Sequence, residues 1–436
     1  MNDRPSGRRL ARHAAPWLGS LAIQATSAAI GLAGLAATAA VVPRSWVFIG
    51  AGLLIHMGSA SGLAWLVTRR RRGERRRRWL VATGALTLAL ILGFSATVLR
   101  PVADPPSPPA AVDDLQWWML SDGARIGYTH TAPEAPAHDH PIVFLHGGPG
   151  VADLAGDTAY FGRLARDGYD VYVYDQLGTG HSSRLADPSG YTLERWAADL
   201  EEIRRLIGEE RMILAAHSWG ARIAARYLER HPGKVSQLIL SSPGAIPGSE
   251  DSSGDRLVDS LPEDDRREVL SLILHPRVLA SYGLLQVNPA ASRSLTSDRE
   301  IDARMDRVYN ASRPAFHCPG DDPGPELGSL GFYAFQYPQS AGSPADPDLR
   351  SSLSGLPVPT LVLKGECDYL SWTSAVEYTE ILPASILVYM EDAGHNAYQD
   401  RPDAFLASVR AFLRGDDMIP LERHDTSMPG GFRGPP

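Results

Sequence analysis

A serine, an aspartate and a histidine each stand just past a short apolar run in this chain, and together they are the side chains of nucleophilic acyl transfer. Residues 212 to 216 run straight into His217-Ser218-Trp219-Gly220 and then into a helical pattern. That is the strand, sharp turn and helix of a nucleophile elbow. Ser218 is the nucleophile such a turn would present, at the positive end of the following helix. Gly220 fits the small residue required after it, and Ala216 replaces the usual glycine before it with another small residue. A serine hydroxyl is weakly nucleophilic at neutral pH and needs a base oriented by an acid. His395 follows the run 386 to 390 and is the base expected. Asp368 follows the run 358 to 363 and is the acid expected, ahead of Glu366, Glu391 and Asp392. His217 is too near Ser218 along the chain to approach it from the far side. The tetrahedral intermediate also needs amide donors. The turn HGGPG at residues 146 to 150 offers Gly148, with Gly147 beside it, and the residue after the nucleophile offers Trp219.

These residues need a scaffold that brings strand ends together. Short apolar runs at 142–145, 171–174, 212–216, 235–240, 358–363 and 386–390 alternate with helical patterns at 193–207, 221–230, 374–382 and 404–413. Such alternation predicts an α/β fold, a mostly parallel sheet covered on both faces, with a hairpin over residues 115–129 in front of it. The spacing breaks between 240 and 358, where about 115 residues, with a helical stretch near 301–309, predict an inserted cap at about 245–355.

Charge separates this region from what precedes it. Residues 1–100 carry 14 Arg against two acids, net +12, while the remainder carries 28 basic and 48 acidic residues, net -20. An acidic domain is poorly suited to nucleic acid, and none is expected as a partner. Three stretches, 17–42, 46–67 and 79–99, lack Asp, Glu, Lys and Arg, and each is long enough to span a bilayer. Eight arginines between residues 69 and 78 mark a cytoplasmic loop, as do Arg4, Arg8, Arg9 and Arg12 before the first span. The expected topology is a multi-pass anchor in the cell membrane with a cytoplasmic N-terminus and an extracytoplasmic catalytic domain. A cleaved leader ending near Ala37-Thr38-Ala39 is the competing reading of the first span. Gln24 and His56 inside the spans read as interhelix hydrogen bonders, and Gly31 to Gly34 and Gly58 to Gly62 as sites of close packing. A proline-rich spacer follows at 101–111, the catalytic domain at 112–414, and a tail at 415–436 whose Gly and Pro content predicts disorder.

Two cysteines exclude a disulfide scaffold. Outside the cytoplasm Cys318 and Cys367 could pair and tie the cap to the loop before Asp368, or Cys367 could stay free beside the acid. His138-Asp139-His140 has metal-ligand residue types in a loop without partners and reads as a solvated turn. The motifs HGGPG (146–150), DQLGTGHSS (175–183), HSWG (217–220), GECD (365–368) and AGHN (393–396) resemble the proline iminopeptidase group of alpha/beta-hydrolases. The resemblance spans roughly residues 114–414. It implies a capped serine hydrolase releasing N-terminal residues from peptides, with Ser218, Asp368 and His395 catalytic, Gly148 and Trp219 in the oxyanion hole, and no metal or cofactor. Asp175 and Gly178 would shape a loop beside the site. Two departures bear on substrate. Leu177 stands where the family has arginine, and the cap stretch 331–336 lacks the family's amine-binding acids, with Asp321, Asp322 and Glu326 only nearby. Peptides with a free amine are the expected substrates, small acyl esters are the alternative, and an inactive membrane-bound binding module is the reading from another class.

Overall fold

The computed structural model describes residues 6–134, 138–249 and 257–435. The chain divides into two compact units, Met1–Ala103 with His275–Ser297 and Asp104–Leu274 with Asp298–Pro436.

The N-terminal hundred residues form α1 (Ser6–Val41), α2 (Ser45–Thr68) and α3 (Gly73–Phe94), the last continued by a wider turn at Ser95–Leu99. Three helices, over Pro16–Val41, Ser45–Thr68 and Gly73–Leu99, are long and apolar enough to cross a membrane. Gln24 Nε2 donates to Thr83 O (3.1 Å) and Thr87 Oγ1 (2.8 Å), so α1 and α3 satisfy each other's polar groups. His56 behaves differently: its Nε2 is buried without a partner among the described residues. A Cβ on Gly31 would stand 2.8 Å from His56 Cβ, whereas Gly58 and Gly62 meet nothing within 4 Å. Close packing thus uses Gly31 and Gly34, and the second glycine pair takes no part in it.

The second unit is built on a nine-stranded sheet in the order β1-β2-β4-β3-β5-β6-β7-β8-β9. Its strands are β1 (Gln116–Met119), β2 (Arg125–Thr131), β3 (Ile142–Leu145), β4 (Val171–Tyr174), β5 (Met212–His217), β6 (Val235–Ser241), β7 (Thr360–Gly365), β8 (Ser385–Met390) and β9 (Glu422–Arg423). Strands β3 to β8 run parallel, and β1, β2 and β9 add antiparallel edges. Every residue of β3 and β5 is buried, as expected where helices cover both faces of a sheet. The covering helices are α4 (Leu154–Phe161), α5 (Leu193–Ile207), α6 (Trp219–Arg230), α13 (Trp372–Ile381), α14 (Ala397–Asp400) and α15 (Pro402–Arg414). Between β6 and β7 lie α7 (Glu263–Ile273), α8 (Pro276–Leu285), α9 (Pro289–Leu295), α10 (Asp298–Ser312), α11 (Phe332–Gln336) and α12 (Arg350–Leu353). Helix α5 shows how sequence sets these bounds. The Thr192 side chain accepts from Arg195 N at its start, Gly208 ends it at φ 89°, and Leu193, Trp196, Leu200 and Ile203 form its buried face.

Two expectations change. The Pro-rich segment is not a free spacer from Asp104 onward: Asp104 lies between Arg304 (2.6 Å) and Arg307 (2.8 Å) of α10. The tail is ordered. Strand β9 pairs with β8, Arg433 N donates to Glu366 O (2.8 Å), and Trp372 Nε1 donates to Thr426 O (2.8 Å). Gly and Pro leave carbonyls and ring faces available, and Phe432 packs 5.4 Å from Trp372. Composition reports missing apolar periodicity but says nothing of such docking.

Candidate active site

The elbow is a backbone feature before it is a chemical one. Strand β5 ends at His217, and Ser218 turns the chain into α6 at φ 52° and ψ -117°, a conformation costly for a residue with a Cβ. Gly220 permits the turn, because a Cβ there would lie 2.2 Å from Leu145 O. Ser218 N donates to Ser241 O (3.0 Å) and fixes the turn to the end of β6.

The loop after β3 faces the elbow. Gly148 sits at φ 116°, where a Cβ would meet Val151 N at 2.6 Å, and a Cβ on Gly147 would touch Ser218 Cβ at 2.9 Å. Neither Gly148 N–H nor Trp219 N–H donates to a backbone carbonyl among the described residues. His146 braces this loop. Its Nε2 accepts from Gln176 N (2.9 Å), its Nδ1 therefore carries the hydrogen and donates to Gly147 O (2.8 Å), and burial lowers its pKa so that it stays neutral. Asp175 completes the brace by accepting from His181 N (2.7 Å) and His181 Nδ1 (2.9 Å), and Trp196 Nε1 donates to Leu177 O (3.1 Å).

His395, on the loop after β8, holds its Nδ1 2.8 Å from Asp368 Oδ1, and both side chains are almost wholly buried. Asp368 also accepts from Leu370 N (3.0 Å). Its other oxygen lies 2.8 Å from Nζ of Lys364, a fully buried lysine on β7. Burial would raise the Asp368 carboxyl, but the Lys364 ammonium and then His395 outweigh it and hold it well below the usual carboxylate range. Of the rival acids, Glu366 is engaged with Asp392 N (2.8 Å) and Arg433 Nε (3.0 Å), Asp392 pairs with Arg401, and Glu391 is exposed.

The alpha/beta hydrolase fold family matches residues 140–402, more than half of the chain. The chain belongs to that family. It is 27% identical over 284 residues to the proline iminopeptidase of Saccharolobus solfataricus, which covers 62% of this chain and 84% of that protein. It is 28% identical over 301 residues to a probable proline iminopeptidase of Streptomyces coelicolor, covering 64% and 89%. Among solved structures, the proline iminopeptidase of Mycobacterium smegmatis aligns at a TM-score of 0.47 and 22% identity, covering 69% of this chain and 98% of that one. The protein is therefore a hydrolase of the alpha/beta family with proline iminopeptidase-like sequence.

For an alpha/beta-hydrolase its surroundings hold several groups that the motifs did not announce. His217 faces His395 with ring centroids 4.8 Å apart, and burial followed by the His395 charge pushes its pKa down to about 3, which removes it as a base. The Tyr369 ring lies 4.6 Å from the His395 ring. Tyr309 and Phe316 extend this aromatic wall from the cap. Asp157 of α4 is buried, accepts from Tyr398 OH (3.0 Å), and has its pKa raised well above the ordinary value by burial and by Asp153. Helix α11 lies over the turn at Gly150, with Gly331 N donating to Gly150 O (2.8 Å). The cap acids Asp321, Asp322 and Glu326 are exposed. Asp302 of α10 instead serves structure, accepting from Phe332 N (2.9 Å) and pairing with Arg184 (3.1 Å). Cys318 and Cys367 form a disulfide with Cα atoms 5.2 Å apart, tying the cap to the loop that carries Asp368. Among the described residues no group of three or more His, Cys, Asp or Glu side chains could hold a metal, and His138 instead stacks on Tyr169 at 4.1 Å.

Proposed function

We propose that this hydrolase is a membrane-anchored serine enzyme that works through an acyl-enzyme on Ser218, acting first of all on peptides with a free N-terminus. The observation that carries the reading is the buried Lys364–Asp368–His395 array, whose His395 ring lies 4.8 Å from that of His217, the residue before an elbow serine held at positive φ. Ser218 Oγ attacks the carbonyl carbon while His395 Nε2 takes its proton, and Asp368 orients the ring and stabilises the imidazolium. The Gly148 and Trp219 amides receive the oxyanion. His395 then protonates the leaving amine, and water, deprotonated by the same nitrogen, releases the acyl group.

Sequence likeness to proline iminopeptidases supports the peptide substrate. The exposure of the acids after Cys318 favours a second reading, in which small acyl esters use the same machinery. The anchor is α1 to α3, multi-pass in the cell membrane, with the arginines at 69–78 inside and the hydrolase unit outside. The disulfide supports that placement, because such bonds persist in oxidising compartments. The test uses the full chain in nanodiscs with prolyl and alanyl anilides, free or blocked at the amine, beside short-chain nitrophenyl esters. Cleavage of free-amine anilides alone supports the aminopeptidase reading, and turnover of esters alone moves the assignment to an esterase. A fluorophosphonate that labels Ser218→Ala as well as the parent chain overturns the nucleophile.

A further inference from the structure

Helices α8 and α9 are part of the insertion between β6 and β7, yet they belong to the same compact unit as α1, α2 and α3. Two hydrogen bonds to the N-terminal helices and one apolar cluster account for this. Asn288 Nδ2, in the turn between α8 and α9, donates to Ala39 O at the end of α1 (2.8 Å). Arg277 donates to Val98 O, in the turn that continues α3 (2.7 Å), and to Leu295 O (2.7 Å). Leu284 and Ala291 join Ala39 of α1 and Phe48 of α2 in one cluster, with Leu35, Ile49 and Leu295 at its edge.

The depth of that cluster decides where the helix pair sits. Leu35 and Ala39 precede the end of α1 at Val41, and Phe48 and Ile49 follow the start of α2 at Ser45. At about 1.5 Å per residue these contacts lie roughly 3 to 9 Å inside the helix ends. They lie at the end opposite the arginine loop, which is the outer end under the proposed topology. A helix pair packed there cannot stand above the bilayer. Amphipathic helices of the membrane interface are buried about 5 to 10 Å, the same range.

The rest of the pair suits that place. Residues 276–295 contain no acid and two arginines. Ser281 bonds Ser292 (2.9 Å) and Thr296 (2.6 Å), so those hydroxyls are satisfied within the pair. Leu279, Tyr282 and Val287 point outward at 48%, 41% and 44% exposure, and Trp46 and Val41 are exposed at the same end of the spans. Aromatic residues at this level mark the lipid–water boundary.

We propose that α8 and α9 form an interfacial hairpin whose Leu279, Tyr282 and Val287 are seated in the outer leaflet, the lipid bilayer being the surface they bind. The inference rests on the membrane-spanning reading of α1 to α3, and the experiment separates the two. The full chain carries a single added cysteine labelled with an environment-sensitive fluorophore, in nanodiscs without quencher or with lipid bearing a doxyl group either near the headgroup, read at 279 and 287, or at mid-chain, read at 54. Label sites are Leu279→Cys and Val287→Cys, with Leu54→Cys inside α2 and Arg205→Cys on α5 as references. Expected is blue-shifted emission at 279 and 287 and several-fold stronger quenching there than at 205. Quenching at 54 with water-like emission at 279 and 287 overturns the hairpin and leaves the spans standing. Blue-shifted emission at 279 and 287 that the lipid quencher does not reach also overturns it, because protein then covers the face. Absence of quenching at 54 removes the membrane reading and the hairpin with it.

Discussion

Two buried histidine–carboxylate pairs lie on either side of the same short loop. His395 Nδ1 meets Asp368 Oδ1 at 2.8 Å, and His317 Nδ1 meets Asp400 Oδ1 at 2.5 Å, with all four side chains nearly inaccessible. Each acid has further work: Asp368 faces Lys364 and Leu370 N, and Asp400 Oδ2 accepts from Gly394 N (2.7 Å). Geometry of the pair therefore does not separate a catalytic dyad from a structural one. What stands near the ring does. His395 has Tyr369 and the His217 ring of the elbow strand beside it, while His317 sits between Phe316 and Cys318, in a segment stitched to the His395 loop by Asn396 N–Phe316 O (3.2 Å) and to the Asp368 loop by the disulfide.

Mutating each histidine breaks this comparison most directly. His395→Ala is expected to lower kcat by about 10⁵-fold while the fold survives, as removal of a base from such a unit does. His317→Ala should leave a buried carboxylate unpaired and cost about 3 kcal/mol of stability, with far less loss of kcat in the folded fraction. Ester turnover and denaturant melts of both variants decide it. Loss of turnover in His317→Ala at unchanged stability would reverse the roles.

The carboxylates sharpen the comparison next. Lys364 stabilises the Asp368 anion, so Lys364→Met should raise the Asp368 carboxyl from its lowered position, and the pH below which kcat/KM falls should move up with it. Stability follows the same charge. A carboxyl held below its usual range contributes stability that is present above its unfolded value of about 3.9 and is lost as pH falls toward its lower folded value. Without Lys364 that folded value rises, and acid unfolding should begin at higher pH. An unmoved rate profile with lowered stability would confine Lys364 to packing.

How much of this could be read from the chain differs between the pairs for a physical reason. Apolar runs, glycine turns and the position of a side chain just past a strand are local, so the parallel sheet, the elbow turn and the loops bearing Asp368 and His395 are visible in sequence. His317, Asp400 and Lys364 carry no local mark. Lys364 stands just past the apolar run 358–363, and nothing next to it in sequence shows that it turns into the core against Asp368. The docking of residues 422–435 and the return of α8 and α9 to the N-terminal unit depend on surfaces made only in the folded chain.

Reducing the disulfide tests the segment that links the two pairs. The loop it closes spans 49 residues, for which chain entropy gives about 4 kcal/mol and measured cases typically 2 to 4. Replacing both cysteines by serine should therefore lower stability by roughly 3 kcal/mol. The His395–Asp368 contact keeps its own hydrogen bonds, so kcat should fall by less than about tenfold, 1.4 kcal/mol of barrier. A loss as large as that of His395→Ala would mean that the cap segment, not the β7 and β8 loops, holds the base in place.

The smallest effect is expected at a third buried acid, and it bears on substrate. Asp157 faces Tyr398 OH rather than a histidine, and burial with Asp153 nearby raises its pKa well above the ordinary value, the reverse of Asp368. A carboxyl that prefers its proton is mimicked by an amide of the same shape. Asp157→Asn should thus change stability by less than about 1 kcal/mol and leave ester turnover alone. A raised folded pKa gives stability that is present at low pH and lost as pH rises toward the folded value, so the amide removes a penalty at neutral pH. The informative readout is KM for anilides with a free amine. An unchanged KM keeps Asp157 with His317 and Asp400 among groups that hold the site. A rise confined to free-amine substrates would mean that the substrate's amine takes the proton from Asp157 on binding, leaving an ammonium paired with the carboxylate, and would give this chain a carboxylate receptor in place of the acids missing from residues 331–336.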